Sequence, residues 1–264
     1  MSTEVLYQQE GPIGRITFNT SGGINLLSMP TMAALESRLD EVACNPQVRV
    51  LILTGEGRTF MAGADIAEMN TAPGDAGRAF SQRGQRCMAR LARFEQAVTI
   101  AAINGPALGG GCEVALACDL RIMSSEATIG FPEVKLGLIP GWGGTQRTFA
   151  LVGGAMARRL LFTGQALNGP EAVAAGLVSE SVAPNELMTN VETLVKQILA
   201  NGPSAVRLLK RVVCSGEAAW LEKGLHCEAD AFGEAFLGEE GREGLRAFME
   251  KRPPKWADKG SAME

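Results

Sequence analysis

Two glutamates, Glu113 and Glu133, stand twenty residues apart, and each closes a turn built from glycine or proline. Glu113 ends the run Gly109-Gly110-Gly111-Cys112-Glu113, and Glu133 ends Gly130-Phe131-Pro132-Glu133. Carboxylates removed from water have raised pKa values, and each raises the other. Two of them can grip one water, one serving as base and the other as acid. The glycines before Glu113 lead into a helix-like stretch, and a helix start leaves backbone N–H groups unpaired and carries partial positive charge. Glycine lets a ligand oxygen come close to that backbone, where a developing negative oxygen is stabilised. A second small-residue turn, Phe60-Met61-Ala62-Gly63-Ala64-Asp65, offers another donor. Spacing alone does not separate this chemistry from the plainer case, a carboxylate in the first turn of a helix and a solvated loop charge.

The elements that must position these groups share a plan of an apolar β-rich run, a glycine-rich turn and a helix-like stretch. Residues 48–54 run into Gly55-Glu56-Gly57, and residues 98–103 into Asn104-Gly105-Pro106 and the glycines 109–111. Residues 120–123 precede a second short strand at Thr128-Ile129 and the turn at Pro132. Strands alternating with helices predict an α/β class whose strands are buried on both sides. The turns lack both the dinucleotide-binding glycine spacing and the Gly-Lys-Ser/Thr of a phosphate loop. Met32, Leu35, Leu39 and Val42 fall at helical spacing, with Ser28 as N-cap, Pro30 in the first turn and Asn45-Pro46 as the stop. Residues 112–118 read as a buried helix with almost no polar face.

From about Asn185 the pattern turns helical, with Leu187, Val191, Leu194, Val195 and Ile198 on one stripe. Asn201-Gly202-Pro203 breaks the chain; residues 204–213 and then 217–249 read as helical, and residues 251–256 end the structure. Two domains are expected, residues 1–200 carrying the chemistry and residues 201–264 forming a helical piece. Phe232, Phe236 and Phe248 exceed what that piece can cover by itself, which suggests oligomer contacts.

The chain of 264 residues, 46% apolar and 20% charged, suits a soluble globular protein. Its net charge of −4 disfavours nucleic acid or an anionic membrane as partner. No apolar run reaches the ~20 residues of a membrane span. The first residues resemble no targeting peptide. Six scattered cysteines without a Cys-x-x-Cys pair predict reduced thiols in a cytoplasmic setting. The one histidine, His226, lies far from every glycine-rich turn, which disfavours a Ser-His-Asp triad or a multi-histidine metal site.

Beyond these readings, the chain resembles the crotonase (enoyl-CoA hydratase/isomerase) superfamily, and within it an enoyl-CoA hydratase. The resemblance rests on residues 60–69, on Ile103-Asn104-Gly105-Pro106-Ala107-Leu108-Gly109-Gly110-Gly111-Cys112-Glu113, and on residues 131–147. Weaker matches lie at residues 172–178 and 242–248, so it covers about residues 13–256. It implies a spiral of ββα units, a C-terminal helical domain that trimerises, and trimers paired as hexamers. It also implies an oxyanion hole from the N–H groups of Ala62 and Gly110, with Glu113 activating water for attack at Cβ and Glu133 delivering a proton to Cα. Gly141 would help to hold the water. Gly63, Ala64, Asp65 and Ile66 would lie along the CoA part of the substrate, and Phe248 and Lys251 would reach it from the C-terminal region.

The resemblance implies no metal or redox cofactor, CoA arriving as part of the acyl-CoA thioester. A Δ3,Δ2-enoyl-CoA isomerase, a hydratase for branched or ring-containing acyl groups, and an RNA-binding relative are the alternatives. The chain departs from the family at Ala67 and at Thr20-Ser21-Gly22, where many relatives carry basic residues near the CoA phosphates. Arg58, Arg83, Arg86 or the pair Lys251-Arg252 are the candidate substitutes. Trp142 occupies a position often held by a small residue; it either narrows the acyl pocket or packs outside it.

Overall fold

A computed structural model describes residues 2–255, apart from the side chains of residues 216–220; the Trp256 end of the tail lies outside the described residues. The chain opens with a hairpin, β1 (Glu4–Glu10) and β2 (Ile13–Asn19), paired antiparallel about Gly11-Pro12. The strand segments recognised from sequence omit this hairpin, whose signal is the inward alternation of Gly14, Ile16 and Phe18 in β2. Helix α1 (Met29–Ala43) starts where the Ser28 hydroxyl accepts the Thr31 N–H at 3.3 Å, and it buries Met32, Leu35, Leu39 and Val42.

Three units then repeat one path. Strand β3 (Val50–Gly55) leads to a short bridge at Met61 and to helices α2 (Ile66–Thr71) and α3 (Gly77–Ala92). Strand β4 (Val98–Ile103) leads to β5 (Ala107–Leu108) and helix α4 (Gly110–Ala117). Strand β6 (Leu120–Ser124) leads to β7 (Thr128–Gly130), a 3-10 turn over Pro132–Leu136, and helix α5 (Gly144–Thr163). Strand β8 (Ala166–Asn168), helix α6 (Gly169–Ala174), strand β9 (Glu180–Val182) and helix α7 (Leu187–Leu199) follow. The chain closes with α8 (Pro203–Leu237) and α9 (Glu239–Met249).

The larger sheet has the order β1-β2-β3-β4-β6-β9, parallel from β2 onward, and the smaller one has the order β5-β7-β8. Each unit thus contributes a long strand to one sheet and a short strand or bridge to the other before its helix, which is the expected ββα spiral. The central strands are apolar on both faces because both are covered. Leu51, Leu53, Ala101 and Ile103 face the main core, while Val50, Ile52, Ile100 and Ala102 face the Leu187–Val191–Val195 stripe of α7.

The C-terminal region corrects two expectations. One helix spans residues 203–237 and breaks at Gly238, in place of separate stretches over 204–213 and 217–249. Phe232 and Phe236 are not surplus: they stack on Phe80 of α3, with centroids 6.1 and 6.5 Å away, and seat α8 on the preceding part of the same chain. Phe248 does stay exposed, and the exposed apolar side chains also include Leu208, Leu209, Val212 and Val213 of α8 and Phe162 of α5.

Lys210 ties the start of α8 to the large sheet. Its ammonium is buried and donates to the Ala97 carbonyl and to Asp119 Oδ2, both at 2.7 Å. The same oxygen of Asp119 accepts the Thr99 N–H at 2.6 Å. Removing one partner of such a pair leaves a buried charge uncompensated. Asp119→Ala is therefore expected to lower the unfolding free energy by about 3 kcal/mol, the low end for a buried pair because Asp119 is a quarter exposed. Urea denaturation of the two proteins checks this.

Candidate active site

Helix α4 carries the first carboxylate into the interior. It begins after Gly109, whose φ of 53° lies in the left-handed region. A Cβ on Gly109 would also come within 2.9 Å of Glu133 Oε1. Glycine therefore permits both the turn and the approach of the second glutamate. Every residue of α4 is buried, Glu113 included at 2% exposure. As the first residue of the helix, Gly110 has an N–H with no partner inside it.

Glu113 is held by the start of α5. Its Oε1 accepts the N–H of Trp142 at 2.7 Å and that of Gly144 at 2.8 Å. A third buried carboxylate, Glu228 of α8, takes the intervening groups. Its Oε1 accepts the Gly143 N–H at 2.5 Å, and its Oε2 accepts the Thr145 N–H at 3.1 Å together with the Thr145 hydroxyl. Gln85 of α3 donates to Glu228 Oε1 at 3.1 Å. Four consecutive backbone N–H groups thus alternate between two carboxylates at a helix N-terminus, where the helix dipole favours negative charge. Just before them, Gly141 accepts the Ser81 hydroxyl through its carbonyl at 2.5 Å, while its own N–H has no acceptor among the described residues.

A cavity of about 310 Å³ gathers most of the residues marked by sequence. Glu113, Glu133, Gly110 and Gly141 line it, with Gly63, Ala64 and Ile66 on a second side and Phe248, 55% exposed, at its mouth. Two residues stand apart. Asp65 caps α2, its Oδ1 accepting the N–H groups of Ala67 at 3.0 Å and Glu68 at 3.3 Å. Lys251 is exposed and does not line the cavity. Of the other candidate cations, Arg83 is held bidentately by Glu36, and Arg252 by Glu243 and Glu250. Arg58, Arg86 and Lys251 are exposed and make no ion pair among the described residues.

The turn over residues 60–65 corrects one assignment. Ala62 lines the cavity, but its N–H is donated to the Asn25 carbonyl at 2.8 Å, so it is not free to meet a substrate oxygen. The next residues pair in parallel with Leu27, which donates to the Gly63 carbonyl at 2.8 Å and accepts the Asp65 N–H at 3.4 Å. In a parallel bridge the residue between those two contacts turns its own N–H to the other side. That residue is Ala64, whose N–H has no acceptor among the described residues and which lines the cavity.

Burial, then the charges of Glu228 and Glu133, hold the Glu113 carboxyl well above the usual carboxylate range. Burial, then the charge of Glu228, pushes Glu133 up to about 8. Glu133 is only partly exposed as a residue, and its Oε2 is shielded from solvent with no hydrogen-bond donor. The two N–H groups on Glu113 favour its charged form, whereas nothing donates to Glu133 Oε2, which favours the protonated form there. Sequence reasoning missed Ala64 as the free donor and missed Glu228 entirely. The signal for Glu228 was present: it occupies a position on the stripe Leu221, Leu225, Phe232 and Phe236, where an apolar side chain is expected.

A carboxyl whose folded pKa lies above its unfolded value is protonated in the folded state and ionised in the unfolded one between those two values. Its contribution therefore reduces stability as pH rises from about 4.5 through about 8. Glu133→Gln removes that term. The variant is expected to melt roughly 2–4 °C or more above the parent at pH 8, with the difference gone near pH 4. Thermal melts at the two pH values check the sign.

Comparison with known proteins agrees with this fold. The family profile "Enoyl-CoA hydratase/isomerase" matches residues 8–259. The chain is 42% identical to the short-chain-enoyl-CoA hydratase of Clostridium acetobutylicum, over 94% of this chain and 95% of that one. It is 40% identical to the crotonyl-CoA hydratase of Syntrophomonas wolfei, over 97% and 98% of the two chains. Among solved structures, an enoyl-CoA hydratase from Geobacillus kaustophilus superposes with a TM-score of 0.77 at 38% identity, covering 97% of this chain and 98% of that one. One from Mycobacterium avium subsp. paratuberculosis reaches 0.86 at 25% identity, covering 98% and 100%. Likeness of this extent places the chain in the enoyl-CoA hydratase/isomerase family, with the crotonase fold, as an enzyme of the hydratase type.

Proposed function

We propose that the chain adds water reversibly and syn across the double bond of a 2-trans-enoyl-CoA, giving a 3-hydroxyacyl-CoA. The observation that carries this reading is that Glu113 and Glu133 face one cavity whose wall also holds the unpaired N–H groups of Ala64 and Gly110. The thioester oxygen accepts those two N–H groups, which draws electron density toward it and makes Cβ electrophilic. Glu113 takes a proton from water, helped by the Gly141 N–H, and the water oxygen bonds to Cβ. The π electrons move through Cα onto the thioester oxygen as an enolate. The enolate collapses as Glu133 gives its proton to Cα. Each donor to such an oxyanion typically contributes ~2.7–4 kcal/mol. Two carboxylates at one cavity support hydration over isomerisation, which needs a single proton shuttle.

The CoA moiety arrives with the substrate, and this scheme draws on no metal or redox group. The names of two relatives, a short-chain-enoyl-CoA hydratase and a crotonyl-CoA hydratase, support a short acyl group; acyl-CoA breakdown in the cytoplasm is part of the same proposal. The exposed apolar faces of α5 and α8 support self-association, with a trimer or a pair of trimers as the proposed form. The negative net charge supports neither nucleic acid nor an anionic membrane as partner.

Loss of the ultraviolet absorbance of crotonyl-CoA tests the reaction. Glu113→Gln and Glu133→Gln are each expected to lower kcat by ~10²–10⁴-fold while crotonyl-CoA still binds; near-normal turnover by either variant would remove that glutamate from the scheme. Hydration requires the protonated form of Glu133, so the parent's rate should fall as pH rises through about 8. Sedimentation velocity reads the assembly, and a monomer at micromolar concentration would overturn the proposed form.

A further inference from the structure

Trp142 follows Gly141 directly, and its indole is buried at 2% exposure on the cavity wall. One edge lies over Gly110 and the other against Gly84 of α3; neither glycine could carry a Cβ without overlapping the ring. The Phe80 ring packs against the indole at 5.5 Å between centroids, and Phe80 in turn stacks on Phe232. Its backbone N–H is fixed by Glu113 at 2.7 Å. The indole is therefore held by Gly84, Gly110 and Phe80, and its backbone by Glu113. Its own Nε1–H finds no acceptor, so hydrogen bonding gives no reason to place an indole here.

We propose that Trp142 is the specificity-determining residue that closes the inner end of the acyl pocket and confines the enzyme to short enoyl-CoA substrates. This rests on the hydratase reading, because it uses the thioester oxygen at the Gly110 N–H as the fixed point. Phe248 is the exposed residue of the cavity lining, so the acyl chain is taken to run from that side past the Gly110 N–H toward the indole. The indole stands against the same Gly110, so few carbons fit before the wall is reached. The Gly84 and Gly110 backbones and the Phe80 ring hold the wall in place. Gly84 has a defined part in the arrangement, as the gap in α3 that accepts the inner edge of the ring.

The test compares kcat/KM for crotonyl-, hexenoyl- and decenoyl-CoA in the parent, in Trp142→Phe and in Trp142→Ala. The parent is expected to favour crotonyl-CoA, and the decenoyl-to-crotonyl ratio should rise at least about tenfold in Trp142→Ala, with Trp142→Phe between. A ratio cancels losses from partial misfolding, and Trp142→Phe keeps an aromatic ring where the alanine variant fails to fold. A parent that prefers decenoyl-CoA, or variants that keep the parent's ratio while hydrating crotonyl-CoA, would overturn the role of Trp142. No hydration of any chain length by the parent would overturn the hydratase reading, a separate result.

Discussion

Four successive backbone N–H groups, those of Trp142, Gly143, Gly144 and Thr145, are shared alternately between Glu113 and Glu228. Glu113 belongs to the central buried helix α4 and Glu228 to α8 near the C-terminus, so this short loop joins distant parts of the chain at one point. The loop also begins α5, whose dipole favours both negative charges. Position of the Glu113 carboxylate, direction of the Gly141 N–H and placement of the Trp142 ring all depend on this one exchange of hydrogen bonds. A displacement of the loop would disturb all three together.

The arrangement sets stability against function. Three carboxyl groups are withdrawn from water near one another, and burial is the largest cause of the raised pKa in each. A buried acid is tolerable when donors surround its charged form or when it keeps its proton. Glu228 has four donors and Glu113 two, so both can bear charge. Glu133 has an oxygen with none, which suits a group that holds a proton until a carbanion-like Cα accepts it. In the proposed scheme, the difference between an acid and a base built from the same residue type comes from how many donors each carboxyl has.

Much of this was legible in sequence wherever the determinants are local. The Ser28 cap and the Met32–Leu35–Leu39–Val42 spacing specify α1, and the glycines before Glu113 mark a helix start with free donors. Two features were hidden because they depend on pairing between distant segments. Whether Ala62 or Ala64 offers its N–H is decided by how the turn pairs with Asn25 and Leu27, some forty residues upstream. Glu228 shows in sequence only as a charge on an apolar stripe, and its partners lie at Gln85 and at residues 143–145. Phe232 and Phe236 misled for the same reason: the surface that covers them is Phe80, on a helix far earlier in the chain.

The most direct test of paired glutamates acting at one face of a bound thioester is the fate of solvent hydrogen. Crotonyl-CoA is incubated with the enzyme in D₂O under initial-rate conditions, and the product is read by proton NMR. Syn addition predicts 3-hydroxybutyryl-CoA with one deuterium at C2, in a single stereochemical position on the face that receives the hydroxyl. Deuterium on both faces of C2 in the initial product, or at C4 without hydration, would contradict delivery of the proton by Glu133 beside the water held by Glu113.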